Sequence, residues 1–162
     1  MYTRILVPLD GSALAERAVS HASKIARAMG AELILAQFVQ PPLGDAPEAG
    51  QAAEISAIRD AGAEANAYLA GIAGKLSAEG CESVRIEILE GAPAEGILGL
   101  AHKEDVDLII MSTHGRTGLS KVLMGSVAEK VMLTTKRPVM LVKPERIRAV
   151  RIDEADVFLS AH

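Results

Sequence analysis

The residues best suited to chemistry lie in one stretch, Ser112-Thr113-His114-Gly115-Arg116-Thr117-Gly118-Leu119-Ser120-Lys121-Val122-Leu123-Met124-Gly125-Ser126-Val127. Glycines at 115, 118 and 125 permit positive φ and let backbone amides come close to an anion. Ser126-Val127-Ala128-Glu129 fits a capping box, which predicts a helix beginning at Ser126. The start of a helix presents free N–H groups and a partial positive charge, both suited to phosphate oxygens. The Ser126 hydroxyl could donate to a terminal phosphate. The same residues would also serve as turns and a helix cap with no ligand at all, and the stretch alone does not separate the two.

Around it stand other polar candidates. Asp10, in Pro8-Leu9-Asp10-Gly11-Ser12, could accept from ribose hydroxyls or simply form a turn and cap the first helix. His114 has no carboxylate visibly placed to orient it as a base. Arg116 and Lys121 could screen phosphate charge or be solvated surface cations, and Thr113 and Thr117 read as turn residues. The chain has no G-x-x-x-x-G-K-[ST] and no G-x-G-x-x-G after a strand, so two common phosphate-binding designs are disfavoured.

These residues need elements to hold them. Arg4 to Pro8 reads as a short buried strand, and Leu14, Ala18, Ala22, Ile25 and Met29 recur at helical spacing before Gly30. Glu32 to Val39 is a second strand, followed by a Pro-, Gly- and Ala-rich loop from Gln40 to Gly50. Ile55, Ile58, Ala65, Leu69, Ile72 and Leu76 mark a second helix, weakened by three glycines and ended by Gly80. Val84 to Leu89 alternates as a half-exposed strand would, and Pro93 suits the first turn of a third helix. Asp107 to Met111 is the most apolar strand. A helix through Val127 and Val131 and a last strand, Val139 to Val142, complete the order βαβαβαβαβ.

That alternation predicts an α/β fold: a five-stranded parallel sheet of flavodoxin-like order 3-2-1-4-5 with helices on both faces. Strands one and four then meet at the topological switch point, where ligands bind beyond the strand ends. The loops facing that crevice are Pro8 to Ser12 and Ser112 to Ser126.

Composition narrows the partners. The chain has 162 residues, a net charge of −4, two Tyr, two Phe and no Trp. Without a basic run or stacking aromatics, nucleic acid is an unexpected partner. Cys81 is the only cysteine, which excludes an intrachain disulfide and points to a reducing compartment. No apolar run reaches the length of a membrane helix. A soluble cytoplasmic protein is expected.

Along Met1 to about Pro144 the chain resembles the universal stress protein family. Ile5-Leu6-Val7-Pro8-Leu9-Asp10-Gly11-Ser12 is similar to the family's first strand and turn. Gly91-Ala92-Pro93-Ala94 with Ile97 and Ala101 is similar to its third-helix entry. Ser112-x2-Gly115-x9-Gly125-Ser126 matches the spacing of its nucleotide signature, G-x2-G-x9-G-[ST], with Ser112 in place of the first glycine. The resemblance implies a domain over residues 1–144 with an extension over 145–162. It also implies an ATP, ADP or AMP site, with magnesium. Gly115, Gly118, Gly125, Ser126 and Val127 would hold the phosphates, among Thr113, His114, Arg116 and Thr117. Ser112 would lie near ribose and phosphates, Asp10 would reach the ribose or the metal, and Pro8, Leu9, Phe38 and Val39 would frame the adenine.

A nucleotide-dependent regulatory module in the stress response is the leading functional expectation. The alternative is a slow ATPase or phosphoryl-transfer enzyme at the same site, for which no general base or transition-state arginine is identifiable. A third reading keeps the nucleotide as a fixed brace. The resemblance further implies a homodimer through the last strand.

Overall fold

The computed structural model describes residues 1–40, 51–113 and 124–143. The Gln40–Gly50 loop beyond its first residue, His114 to Leu123 and the 145–162 tail fall outside the described residues. Five strands, β1 (Arg4–Leu9), β2 (Glu32–Val39), β3 (Val84–Glu90), β4 (Leu108–Ser112) and β5 (Val139–Val142), alternate with four helices. These are α1 (Ala13–Met29), α2 (Gln51–Ala78), α3 (Pro93–Lys103) and α4 (Ser126–Thr134). The strands form one parallel sheet in the order β3-β2-β1-β4-β5, as the alternation predicts.

Side-chain alternation divides the core into two layers. On β1, Ile5, Val7 and Leu9 face α1 and α2, while Leu6 faces α3 and α4. On β4, Leu108 and Ile110 face the first layer and Ile109 and Met111 the second. A strand covered on both faces cannot show the polar–apolar alternation of a half-exposed one, which is why β1 and β4 read as continuous apolar runs. β3, at one edge, is half-buried along nearly its whole length. The α1 face against the sheet is Ala15, Ala18, Val19, Ala22 and Ala26, all buried. Small side chains there let the helix lie close to the strands, and each large aliphatic residue buried beneath it contributes about 1.5–3 kcal/mol.

Cys81 is buried in the connection between α2 and β3, with its Sγ 3.9 Å from the Ser23 carbonyl oxygen. Burial raises the thiol pKa above its ordinary value, an effect Arg27 partly offsets and Glu79 reinforces. No helix among the described residues is long and apolar enough to cross a membrane.

Candidate functional site

Beyond the C-terminal ends of β1 and β4, at the reversal of strand order, lies a cavity of about 290 Å3. β1 and its turn supply Pro8, Leu9 and Asp10, and the end of β4 and the residue after it supply Ser112 and Thr113. Phe38 comes from β2, and Gly125, Ser126 and Val127 open α4. The structure thus brings together nine of the residues singled out from the sequence. It adds Ala15, Pro93, Ile97, Met111 and Ala128. Pro93 and Ile97 are four apart at the start of α3. Their spacing, together with the topology, was the available signal that this helix also faces the crevice.

Val39 follows a different course from Phe38. Successive residues on a strand point to opposite faces, and Val39 is buried without lining the cavity. Its carbonyl instead accepts from the Gly91 N–H at 3.0 Å. His114, Gly115, Arg116, Thr117 and Gly118 lie outside the described residues.

The first loop is a tight turn. Gly11 has φ +80°, a conformation that side chains with a Cβ disfavour. The Asp10 Oδ1 accepts from the Ser12 N–H at 3.0 Å and the Ser12 hydroxyl at 2.6 Å. Ser12 Oγ in turn accepts from the Ala15 N–H at 3.1 Å and is the N-cap of α1. Asp10 therefore shapes the turn, Ser12 caps the helix, and the carboxylate is held at the cavity wall.

At the second loop α4 begins at Ser126 as expected, but not through the expected capping box. Gly125 is the N-cap, with φ −64° and ψ 146°, and Ser126 is the first helical residue; no side chain caps this end. Ser126 is exposed and its backbone is already helical, so its hydroxyl is not placed to cap N3 as an N-cap serine would. The uncapped first turn borders the cavity, since Gly125, Ser126, Val127 and Ala128 all line it. A helix end left without a side-chain cap keeps its donors for solvent or a ligand.

Both ends of the connection between β4 and α4 are anchored. The Thr113 N–H donates to the Val142 carbonyl at 3.0 Å, and the Gly125 N–H donates to the Thr113 carbonyl at 2.7 Å. Ser112 ends β4 in register with Val142 and is buried. Among the described non-glycine residues only Asp105 has positive φ, so Ser112 occupies ordinary backbone and needs no glycine there. Lys130 of α4 pairs with Glu95 of α3, joining the two helices whose first turns border the site.

Among the described residues no three His, Cys, Asp or Glu side chains gather as a metal cage. A magnesium ion at Asp10 would fit only in the usual manner for that ion, with one carboxylate and the rest of its shell from phosphate oxygens and water.

The sequence model described as "Universal stress protein family" matches residues 1–143. The chain belongs to the universal stress protein family. It is 36% identical over 145 residues to the universal stress protein MJ0531 of Methanocaldococcus jannaschii, covering 88% of this chain and 83% of that one. The solved structure of hypothetical protein MJ0577, from the same organism, superposes with a TM-score of 0.80 at 32% identity, covering 90% of this chain and 99% of that one. A universal stress protein in complex with cAMP matches with a TM-score of 0.67 at 28% identity, covering 88% and 97%. Another, from Archaeoglobus fulgidus in complex with dAMP, matches with 0.61 at 25%, covering 88% and 98%. Relatives of this fold therefore bind nucleotides.

Proposed function

We propose that this universal stress protein binds ATP at the switch-point cavity and acts as a nucleotide-dependent regulatory module. The observation that carries the reading is the convergence of three chain segments, Pro8–Asp10, Ser112–Thr113 and Gly125–Val127, on one crevice. An apolar wall from Pro8, Leu9 and Phe38 suits a flat base. Asp10 suits the ribose hydroxyls or a phosphate-bound magnesium, and the uncapped start of α4 suits phosphate oxygens. Relatives in complex with cAMP and dAMP support the adenine. His114, Gly115, Arg116, Thr117 and Gly118 are assigned to the nucleotide on the resemblance of Ser112 to Ser126 to the family's nucleotide signature.

Calorimetry with ATP and magnesium tests the reading, and the expected result is saturable binding in the millimolar range or tighter. Heat that never saturates would remove it. Turnover by the purified protein that disappears in the Asp10→Ala variant would move the reading to a slow ATPase.

Two further properties belong to the same proposal. The β5 edge, with Met140 exposed, suits pairing with a second copy, since an apolar edge strand left open invites it. Sedimentation at micromolar concentration is expected to give a dimer, and a monomer alone would exclude this pairing. A cytoplasmic location accords with a lone buried thiol and is checked by cell fractionation.

A further inference from the structure

We propose that Gly96 sets the base specificity of the cavity by letting the Phe38 ring lie back against α3, which leaves the slot wide enough for a purine. The inference rests on the nucleotide reading above and names a residue and a selectivity that the reading does not contain.

Phe38 is the penultimate residue of β2, paired with Leu89 of β3, so its backbone is held in the sheet. Its side chain packs on the layer beneath α3 and α4 and lines the cavity. A Cβ built on Gly96 would stand 2.2 Å from Phe38 Cε1, 2.4 Å from Cδ1 and 3.2 Å from Cζ. The ring edge therefore rests directly on the bare Cα of Gly96. Pro93 and Ile97, on either side in the helix, line the cavity while Gly96 does not. The ring screens it.

A glycine inside a helix costs about 1 kcal/mol relative to alanine. Gly96 and Gly99 both carry that penalty in α3, but only Gly96 has a neighbour: a Cβ at Gly99 would meet nothing within 4 Å. Any side chain at 96 forces the ring to retreat by about 1.3–1.8 Å to reach ordinary contact distance. With the strand fixed by its pairing and α3 behind it, the ring moves by side-chain rotation toward the open cavity. The slot then narrows. Two fused rings need its full width, whereas the single ring of a pyrimidine does not.

The test is calorimetric titration of ATP and of CTP, each with magnesium, into the wild-type protein, Gly96→Ala, Gly99→Ala and the double variant Gly96→Ala/Phe38→Leu. The expected result is a loss of about tenfold or more in ATP affinity for Gly96→Ala, with CTP affinity changed by less than about threefold. Gly99→Ala, the matched substitution one turn on, should leave both affinities unchanged. With the smaller leucine the double variant should return toward the wild-type ratio of ATP to CTP affinity, although part of the base's apolar wall is lost, which a general disturbance of α3 would not allow. A Gly96→Ala protein with the wild-type ratio of ATP to CTP affinity overturns the proposal, as does one that loses both ligands equally. A Gly96→Ala protein that no longer melts cooperatively also overturns it, because the ring would then have had no room to move. If the wild-type protein binds neither nucleotide, the nucleotide reading fails; if it binds ATP and only the Gly96 result is absent, that reading stands and this one falls.

Discussion

The two ends of the sheet are built on opposite terms. At the N-terminal ends of the strands, polar groups are joined to one another. The Asp107 carboxylate accepts from the Thr3 N–H at 2.6 Å, the Thr3 hydroxyl at 2.5 Å and the Arg4 N–H at 2.9 Å. Arg85 donates to Glu32, Glu87 and Glu104 at 3.2, 2.7 and 2.7 Å. The Arg85 hydrogen bond holds the Glu104 carboxyl below its ordinary pKa. Arg4 reaches the Glu104 carbonyl and Arg137 reaches Asp105. At the C-terminal ends the helices begin, a cavity stands open, and α4 starts without a side-chain cap. One end joins its polar groups to one another, and the other leaves the first turn of α4 without a side-chain cap beside an open cavity. Substitutions at the open end are therefore expected to change binding, and substitutions at the closed end to change stability.

The largest expected effect is at Gly125. Replacing it with Val places a branched side chain where the chain turns into α4 and lines the cavity, and ATP affinity should fall by about 100-fold or more. The melting temperature should move little, because φ −64° is open to any residue. Calorimetry and thermal melts of one preparation check both, and unchanged affinity would break the contrast from the open side.

A smaller effect is expected at Asp107. Removing its three hydrogen bonds by Asp107→Ala should lower stability by about 1–2 kcal/mol, the value for charged hydrogen bonds reduced for partial solvent exposure. ATP affinity should stay the same. Those bonds, the Thr3 hydroxyl first and then the two backbone N–H groups, hold the carboxyl at about 2 against an ordinary 3.8. A carboxyl whose folded value is depressed contributes its full stabilisation above the unfolded value and loses it as pH falls through the folded one. Denaturant melts should therefore show the difference between wild-type and Asp107→Ala proteins intact above pH 3.8 and shrinking toward about pH 2. A difference that does not change with pH across that window would mean that Asp107 acts by packing alone.

Much of the molecule was legible in the chain. Glu32 to Val39 and Val139 to Val142 are observed with the predicted bounds, because Gly, Pro and charged residues stand at their ends. Pro93 opens α3 as its missing N–H and fixed φ favour. The start of α4 at Ser126 was legible, but not the way that helix end is made. A serine followed three places later by glutamate reads as a capping box, but the box forms only when the serine is the N-cap; here Gly125, anchored to Thr113, takes that position and Ser126 is the first helical residue. Of the Phe38 and Val39 pair, the side-chain alternation of β2 puts only Phe38 in the cavity.

Local patterning by itself thus determined the element order and, through crossover handedness, the sheet order and the end of the sheet that carries the crevice. Apolar periodicity and turn chemistry act between neighbours a few residues apart, and one chain displays them. What only the tertiary structure decided are contacts between distant segments. The hold of Asp107 on Thr3 and Arg4 spans more than a hundred positions, and the seat of the Phe38 ring on Gly96 joins a strand to a helix three elements later. A glycine that receives a ring and a glycine that faces open space are the same letter in a sequence. Packing alone tells them apart.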